Sequence, residues 1–558
     1  MITQKGIPKN SNLKKEILGA HPIIQFFIEK LGIGDLFATF IPQDNRLKIS
    51  IEKTLNVLIH NILSVSMPMY EISDWASTVS ESSIGLEENE SGLINDDRVG
   101  KSLEQLYDGR HKDLFFKLAL NAIDIFDINC SQIHQDTTTI TFSGKYTEQE
   151  AREKITFGHN KDHRPDLKQL VLGMSITSDG AVPLAHKIYN GNQTDDTLHI
   201  ENHRKITKLL NSADFIYVAD SKLATEKNLE KIASYGGKFI TVMPATWSES
   251  KLFKDSVKCG KVKWNHILSK ENGGQTERKM DRYYLAEGEF QTQTEYRLLW
   301  YRSTQKIQRD LETRERRLAK SMDNLNALAL KLNKYKFKTR EKIKERIEQI
   351  LKKNKCIGLI DYQLESERIF KKNYFIKGRP SSTSKGENSW KEVFKLKFAI
   401  NEQEILNESL CDGVFPLLTN VFEDKSPKKI LVIYKYQPFL EKRHSQIKTW
   451  QKVTPVLLKN SKRVVSYLHI HVIALMVSTL IERQLRLAMK NNQIEALPIY
   501  PEGRDCSHPT IFDIIRLFRN IEKYEVELDG KTTFFPANLN IIQKKILNLL
   551  AIPISLYQ

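Results

Sequence analysis

The spacing of apolar residues separates a helical beginning from a mixed remainder of the chain. Up to about residue 128, apolar positions recur every three or four residues, with short polar or glycine-containing breaks between the runs. This period predicts helices at 21–32, 51–64, 96–109 and 112–128. The range 1–128 is therefore predicted to be a helical domain. Short helices in this position suit a helix-turn-helix-like DNA reader, and ordinary helical packing is the alternative.

A strand pattern begins near residue 131. The run 133–142 alternates and is rich in β-branched residues, and two more strand-like runs follow at 167–177 and 182–191. Helical and strand-like runs then alternate, at 197–211, 215–221, 224–236 and 238–244. Three strands that can form an antiparallel meander, followed by helix, strand, helix and strand, are the order of a ribonuclease-H-like α/β domain. The sequence therefore predicts the first part of such a core over 129–245.

The range 246–425 interrupts this order and is predicted to be an insertion domain. Its apolar seam of seven-residue period consists of Ile307, Leu311, Leu318, Met322, Leu325, Ala329 and Leu332, and continues after a polar break with Ile343, Ile347 and Ile350. The seam predicts a helical hairpin of coiled-coil type over 304–355, which pairs within one chain or between two. That segment carries 17 Lys and Arg against 7 Asp and Glu, a formal charge of +10. Such a charge run is either a solvated helix face or an arm that grips phosphates.

The last part of the chain returns to a helical pattern. The range 426–495 is predicted to complete the core, and 496–558 to form a small helical appendix. The most apolar stretch, 467–481, is interrupted by two histidines and a serine. We therefore expect it to be a buried helix rather than a membrane span.

Composition adds a preferred partner and a compartment. At 558 residues the chain is long enough for roughly two to four domains. Lys and Arg number 85 against 68 Asp and Glu, a formal charge of +17 that favours nucleic acid as a partner, although solubility accounts for part of the excess. The five cysteines stand singly, which argues against a zinc finger or a disulfide framework and is typical of a reducing cytosol. With no secretory-type apolar segment near residue 1, we expect a cytoplasmic protein that does not bind a membrane.

Two aspartates stand where a sheet would bring them to one cleft. Asp136 lies within a β-branched strand, where a buried charge is costly unless it is compensated. Asp220 closes the apolar run FIYVAD at its carboxyl end, where a strand-to-helix turn points side chains at a cleft. Each alone has an ordinary explanation as a turn or helix-cap residue. Together, in the first and fourth strands of the predicted order, they are candidate oxygen ligands for Mg²⁺.

A third carboxylate comes with a recognisable motif. The segment YKYQPFLEKRHSQIK resembles the Y-x2-R-x3-E-x6-K signature of the large cut-and-paste insertion-sequence transposases of bacteria, which are DDE transposases. Tyr434, Glu441 and Lys448 stand at the signature's spacing, and Gln437 stands where the family has arginine. Further blocks that resemble the family lie at 143–199, 217–229 and 412–420. The resemblance runs from about residue 20 to 490.

The resemblance implies a ribonuclease-H-like catalytic core, interrupted by a large insertion, that cleaves DNA and transfers the cut strand. Asp136, Asp220 and Glu441 would hold two Mg²⁺ ions, with Mn²⁺ as a substitute, and Tyr434 and Lys448 would position phosphate. On an α-helix, seven residues turn through about 700°, so Glu441 and Lys448 would share one face roughly 10 Å apart. The implied partners are double-stranded DNA, as terminal inverted repeats and target, and a second copy of the chain in a synaptic homodimer.

Further contacts are predicted around these residues. Gln437 takes the position of the family's arginine near phosphate, and its neutral side chain puts that role in question. A dense polar run, GHNKDHRPD, offers Lys161, His163 and Arg164 as DNA contacts, with a solvated loop as the alternative. The resemblance also offers Trp247 for stacking on a flipped base, and a core tryptophan is the other interpretation.

Two other functions stay open at this point. The first is a catalytically inactive or repurposed DNA-binding protein of the same fold, which the glutamine at position 437 favours. The second is a ribonuclease-H-like DNA nuclease that cuts without strand transfer.

Overall fold

A computed structural model describes residues 11–558 except 45, 148, 160–163, 195–196, 272–279, 294, 335, 375–385, 423–424, 455–457 and 529–530. The chain divides into two units: residues 1–241 with 429–558 form the first unit, and 242–428 form the second unit. The second unit nearly coincides with the insertion predicted over 246–425. The N-terminal helices belong to the same unit as the strands that follow them. The DNA contacts predicted for Lys161 and His163 lie outside the described residues.

The first unit begins with one strand and six helices. Their bounds are β1 Ser11–Ile17, α1 His21–Leu31, α2 Ile33–Phe40, α3 Ile51–Ser64, α4 Ile72–Thr78, α5 Asp96–Asp108 and α6 His111–Phe126. The four helices predicted from apolar spacing are confirmed as α1, α3, α5 and α6. Gly32 ends α1 with a φ of 67°, a left-handed conformation that glycine adopts at little cost, and α2 starts directly after it. The Ser50 side chain accepts a hydrogen bond from the backbone N–H of Lys53 and so caps α3.

Five strands follow in the first unit, with two helices between them. Their bounds are β2 Gln132–Phe142, β3 Lys168–Thr177, β4 Pro183–Tyr189, α7 His199–Leu210, β5 Ile216–Val218, α8 Glu226–Ser234 and β6 Lys238–Val242. β2, β3 and β4 pair antiparallel, and β5 lies parallel to β2 and β6, which gives the order β4-β3-β2-β5-β6. The predicted succession of strands and helices is confirmed. The β-branched run in β2 suits a buried central strand, because branched side chains pack well on a pleated surface.

The second unit combines a sheet, a helical hairpin and a long two-stranded ribbon. Its elements are α9 Ser248–Lys258, β7 Trp264–Glu271, β8 Met280–Ala286, β9 Phe290–Gln291, β10 Arg297–Ser303, α10 Thr304–Ala329, α11 Arg340–Lys353, β11 Ile360–Tyr374, β12 Gly386–Ile400, α12 Glu402–Ser409 and β13 Val414–Thr419. The sheet has the order β13-β10-β8-β7, with β9 on β10. Its core tryptophan is Trp300, which is stacked on Phe253 at 3.9 Å between ring centroids. Trp247, directly before α9, is only partly buried, so the interpretation of Trp247 as a core tryptophan is wrong.

The predicted hairpin is confirmed as α10 and α11, and its seam pairs within the chain. Leu318, Leu325 and Ile347 are buried in one apolar cluster. The same cluster includes Phe394 of the β11–β12 ribbon, so the ribbon covers part of the hairpin. Leu311, the second residue of the predicted seam, is 37% exposed. The buried cluster begins at Leu318, one heptad after Leu311.

The chain then contributes three more helices to the first unit. Their bounds are α13 Pro427–Tyr434, α14 Gln437–Ser445 and α15 Ser461–Asn491, with a π-helical turn over Gln446–Trp450. By length and composition, α15 is the one helix in the described part of the chain that could cross a membrane, yet 94% of its most apolar window is buried inside the fold. The prediction of a buried helix over 467–481 is confirmed.

The last part of the chain is not purely helical. It forms α16 Ile511–Phe518, β14 Glu522–Leu528, β15 Lys531–Phe535 and α17 Ile541–Leu549. β14 pairs antiparallel with β1 and with β15, which makes a three-stranded sheet. The predictions of all-helical ranges 496–558 and 1–128 are wrong for these three strands. β1, with the sequence SNLKKEI, forms its ladder with a strand at the other end of the chain, and local apolar spacing does not record such a partner.

Candidate active site

Asp136 and Asp220 lie toward the same end of the sheet because their strands are parallel neighbours. β2 and β5 pair with His134 opposite Val218, and Asp136 and Asp220 each follow two residues further along the chain. The backbone carbonyl of Asp220 accepts a hydrogen bond from Thr241 Oγ1 at 2.6 Å. Its carboxylate Oδ1 accepts another from a backbone N–H two residues on, at 3.0 Å. These bonds hold Asp220 at the carboxyl end of β5, beside the strand that carries Asp136.

Glu441 lies on α14, and two hydrogen bonds tie this helix to β2. Gln437 Oε1 and His134 Nδ1 are 3.0 Å apart, and Gln437 Nε2 donates to the carbonyl oxygen of Gln135 at 3.1 Å. Gln437 is 8% exposed and His134 is fully buried. The helix that carries Glu441 is therefore bonded to the two residues that precede Asp136.

A buried ion pair holds α14 from the other direction. Arg443 Nη2 donates to Glu482 Oε2 at 2.8 Å, and the two side chains are 10% and 3% exposed. The same nitrogen donates to the carbonyl oxygen of Gly180 at 3.0 Å. Glu482 Oε1 in turn accepts from the backbone N–H of Ile511, the first residue of α16. Glu441 is thus presented by a helix that is bonded to α15 and to the turn between β3 and β4.

The three predicted carboxylates act on one hydroxyl group. Burial, followed by the negative charges of Asp220, Glu441 and Asp136, raises the pKa of Tyr434 to about 12. Coulomb energy falls with distance and solvent screens it, so charges that contribute to this shift lie near the hydroxyl. Asp136, Asp220 and Glu441 therefore lie within electrostatic reach of the Tyr434 hydroxyl.

Two histidines that the sequence analysis did not single out belong to this site. His444 lies one turn after Glu441, and its Nδ1 is 3.9 Å from Asp136 Oδ2. His134 makes the bond to Gln437, and burial lowers the pKa of its imidazole to about 4. A signal for both was present in the sequence. His134 and Asp136 are two residues apart on one strand, so they share a face. Glu441 and His444 are three residues apart on one helix, so they are neighbours on its surface.

Two predicted phosphate contacts are placed differently from expectation. Gln437 is buried and uses its amide to anchor α14, so the prediction that it binds phosphate is wrong for this conformation. Lys448 lies in the π-helical turn Gln446–Trp450, which interrupts the α-helix on which the common face of Glu441 and Lys448 depended. The wider π-helical turn changes the angle per residue, so the step of about 100° does not apply up to Lys448.

Arg164 is the described member of the predicted polar loop. Its side chain is exposed and forms a two-pronged ion pair with Asp166, at 2.9 and 2.6 Å. No contact recorded among the described residues joins Arg164 to the three carboxylates. Its role in DNA binding stays a prediction.

The carboxylates provide the oxygen donors that hard cations such as Mg²⁺ prefer. Over the described residues, no group of three His, Cys, Asp or Glu side chains is placed to hold one metal ion. Mg²⁺ at phosphate-processing sites commonly takes one or two protein carboxylates and completes its shell with water and substrate phosphate. Asp136, Asp220 and Glu441 have the oxygen donors of such a site, and their binding of a metal ion stays a prediction.

Comparisons with known proteins give one partial family match and several distant structural likenesses. Residues 13–120 match a family described as a domain of unknown function, DUF4277. No curated protein matches the chain. The chain is similar to the piggyBac transposase in a synaptic complex with hairpin DNA, with 7% identity, a TM-score of 0.39, and coverage of 88% of this chain and 79% of that chain. It is also similar to the Mos1 transposase in a paired-end complex with the left transposon end, with 10% identity, a TM-score of 0.15, and coverage of 35% and 60%. Both TM-scores are below 0.5, and neither likeness carries an argument about this chain.

Proposed function

We propose that the chain is a transposase. It binds the terminal inverted repeats of its element as a homodimer, cleaves a DNA strand there and joins the freed 3′ hydroxyl to target DNA. The observation that carries this proposal is that Asp136, Asp220 and Glu441 all lie within electrostatic reach of the Tyr434 hydroxyl, and the parallel pairing of β2 with β5 supports it. The strand order β4-β3-β2-β5-β6 supports a ribonuclease-H-like core, with the second unit as an insertion between β6 and α13.

The three carboxylates would hold two Mg²⁺ ions, for which Mn²⁺ can substitute. When bound, such a pair of ions activates the attacking oxygen, orients the phosphate and neutralises charge on the leaving oxygen. Asp136 and Asp220 contribute donors that the sheet holds in place, and Glu441 contributes a donor from the bonded helix α14. The Tyr434 hydroxyl and the Lys448 ammonium would contact phosphate oxygens and position the scissile strand.

Strand cleavage and strand transfer test this proposal directly. The full chain is incubated with Mg²⁺ or Mn²⁺ and with DNA that carries the ends of its element. We expect the wild-type protein to cut and join, and the Asp136→Asn, Asp220→Asn and Glu441→Gln variants to bind the ends without cutting them. Each substitution keeps the size of the side chain and removes one negative charge from the proposed metal ligands. Asp214→Asn is the matched control, because this exposed aspartate of the same unit pairs only with Lys238 among its described ion pairs. Wild-type cleavage by a folded Asp136→Asn variant would refute the proposed roles.

A non-catalytic DNA-binding protein is the second candidate. The observation that favours it is Gln437, which is neutral and buried where the resembling family has an arginine. The same assay separates the candidates. Binding without cleavage by the wild-type chain identifies the second candidate, and cleavage without joining identifies a nuclease.

A further inference from the structure

A cluster of positively charged side chains lies wholly within the second unit. Side chains from α9, from the first half of α10 and from the segment 408–414 line a cavity of about 780 Å³. Its cationic lining side chains are Lys251, Lys254 and Lys258 of α9 and Lys306, Arg314 and Arg317 of α10. The cavity therefore has one wall from α9 and another from the predicted basic hairpin.

The cations of α10 are already paired with acidic side chains at the cavity. The pairs are Arg314 with Asp412 at 2.6 Å, Lys306 with Asp310 at 2.8 Å and Arg317 with Glu408 at 3.7 Å. The first pair is buried, with side chains 3% and 10% exposed, and its two hydrogen bonds make it a structural link. Asp255 is the fourth carboxylate at the cavity and is exposed on α9. Much of the charge on the α10 wall is thus neutralised within the protein.

The lysines of α9 are different. In the described part of the chain, no ion pair involves Lys251, Lys254 or Lys258. They are three and four residues apart, so they share one face of α9 and span about 10 Å. Burial raises the pKa of the Cys411 thiol at the cavity, and the charges of Lys258 and Lys254 oppose that shift. These two lysines therefore lie close to Cys411, on the cavity side of the helix.

We propose that Lys251, Lys254 and Lys258, the α9 lysine face, bind the sugar-phosphate backbone of double-stranded DNA. This inference rests on the proposed function and deepens it, because it names the surface of the second unit that grips DNA. A column of about 10 Å laid along the duplex axis spans roughly three steps of about 3.4 Å rise, so each of the three lysines can reach a separate phosphate of one strand. Lysine ammonium groups contact phosphates without reading bases, so this face positions the duplex and leaves sequence recognition to other residues.

We expect α9, and not the hairpin, to be the site of phosphate binding. The charge of +10 over 304–355 suggests the hairpin as a phosphate-gripping arm. At the cavity, however, the hairpin cations are paired and the α9 lysines are not. A matched control is available on α11, where Lys342, Lys344 and Lys353 are exposed and line no part of this cavity.

The test is the salt dependence of DNA binding by the full-length protein. The probe is a fluorescent duplex of about 30 base pairs, titrated between about 50 and 200 mM salt. We compare the wild-type chain with a triple variant, Lys251→Ala, Lys254→Ala and Lys258→Ala, and with the control triple Lys342→Ala, Lys344→Ala and Lys353→Ala. If each α9 lysine neutralises one phosphate, the slope of log affinity against log salt falls by about 2.7 in the α9 variant. The control variant is expected to keep the wild-type slope to within about 0.4, which is less than half the change expected for the loss of one phosphate contact.

Each other outcome overturns the proposal in a recognisable way. An unchanged slope in the α9 variant would show that these lysines do not contact phosphates. An equal loss of slope in the control variant would show that the overall positive charge of the protein attracts DNA, and not this lysine face in particular. A wild-type chain that binds no DNA contradicts the proposed function as well, whereas cutting by Asp136→Asn refutes only the catalytic assignment. Melting curves establish that the variants fold. If the triple variant does not fold, Lys251→Gln alone should lower the slope by about 0.9, because that side chain is exposed.

Discussion

Gln437 of α14 lies against His134 of β2, with 3.0 Å between Gln437 Oε1 and His134 Nδ1. The other end of the same amide donates to the carbonyl oxygen of Gln135. Gln437 stands where the signature of the transposase family that the sequence resembles has an arginine. Here its amide bonds a helix to a strand. That helix carries Glu441 and that strand carries Asp136. The bond therefore helps to set how far apart two of the proposed metal ligands lie.

Gln437→Ala is predicted to lower both stability and cleavage. The substitution leaves the His134 imidazole and a buried carbonyl without this partner, which costs about 1–3 kcal/mol in the free energy of unfolding. Because α14 loses its bond to β2, we also expect cleavage to require more Mg²⁺, while DNA binding changes little. Denaturant unfolding and cleavage over a Mg²⁺ series measure the two effects. Gln308→Ala, on an exposed part of α10, is the control and should change stability by less than about 0.5 kcal/mol. Wild-type behaviour of the Gln437 variant in both measurements contradicts the anchoring role.

Stability is predicted to fall as the pH drops below neutral. Burial is the main cause that lowers the pKa of His21 and His203 to about 4, and of His186 and His471 to about 3, from an ordinary value of 6.5. These imidazoles bind protons more readily in the unfolded chain. Their contribution to the free energy of unfolding is therefore complete above about pH 6.5. It is lost progressively as the pH falls toward the pKa values of the folded chain. A histidine shifted to about 4 loses on the order of 3 kcal/mol of this contribution by about pH 4.

Melting temperatures between neutral pH and about pH 5 measure this dependence. His203→Gln removes one of the titrating groups, so the variant should lose less stability than the wild-type chain over the same range. A melting temperature that stays constant from pH 7 to pH 5 would show that these imidazoles are not buried in their neutral form.

Leu325→Ala is predicted to destabilise the hairpin of the second unit. Leu325 of α10 is fully buried in a cluster with residues of α11 and the β11–β12 ribbon, and truncation of such a leucine costs about 2–5 kcal/mol. Leu330→Ala, close by and 78% exposed, is the matched control and should cost less than about 0.5 kcal/mol. Because the seam pairs within the chain, the loss in Leu325→Ala should not depend on protein concentration. A loss that grows on dilution would indicate pairing between chains instead.

Local patterns predicted the elements well where neighbours along the chain are also neighbours in space. The period of three to four residues predicted α1, α3, α5 and α6, and the seven-residue period predicted the α10–α11 hairpin. Alternation and β-branched residues predicted β2. The motif spacing nominated Glu441, and the strand pattern nominated Asp136 and Asp220. The helices are stabilised largely by contacts between residues close together in the sequence, so local spacing predicts them; for β2 the pattern predicts a strand but not its pairing with β3 and β5.

The bonds between distant segments followed from none of these patterns. β1 finds its partner β14 at the far end of the chain, and the amide of Gln437 reaches β2 across some 300 residues. Whether Gln437 would face phosphate or a strand, and whether the α9 lysines would find acidic partners, depended on what the rest of the chain packs against them. The sequence by itself determined most of the helices, the strands β2 to β6 and the candidate carboxylates. Only the tertiary structure decided that those carboxylates lie within electrostatic reach of Tyr434 and which bonds tie α14 to β2, because burial and hydrogen bonding between segments exist only once the chain has folded.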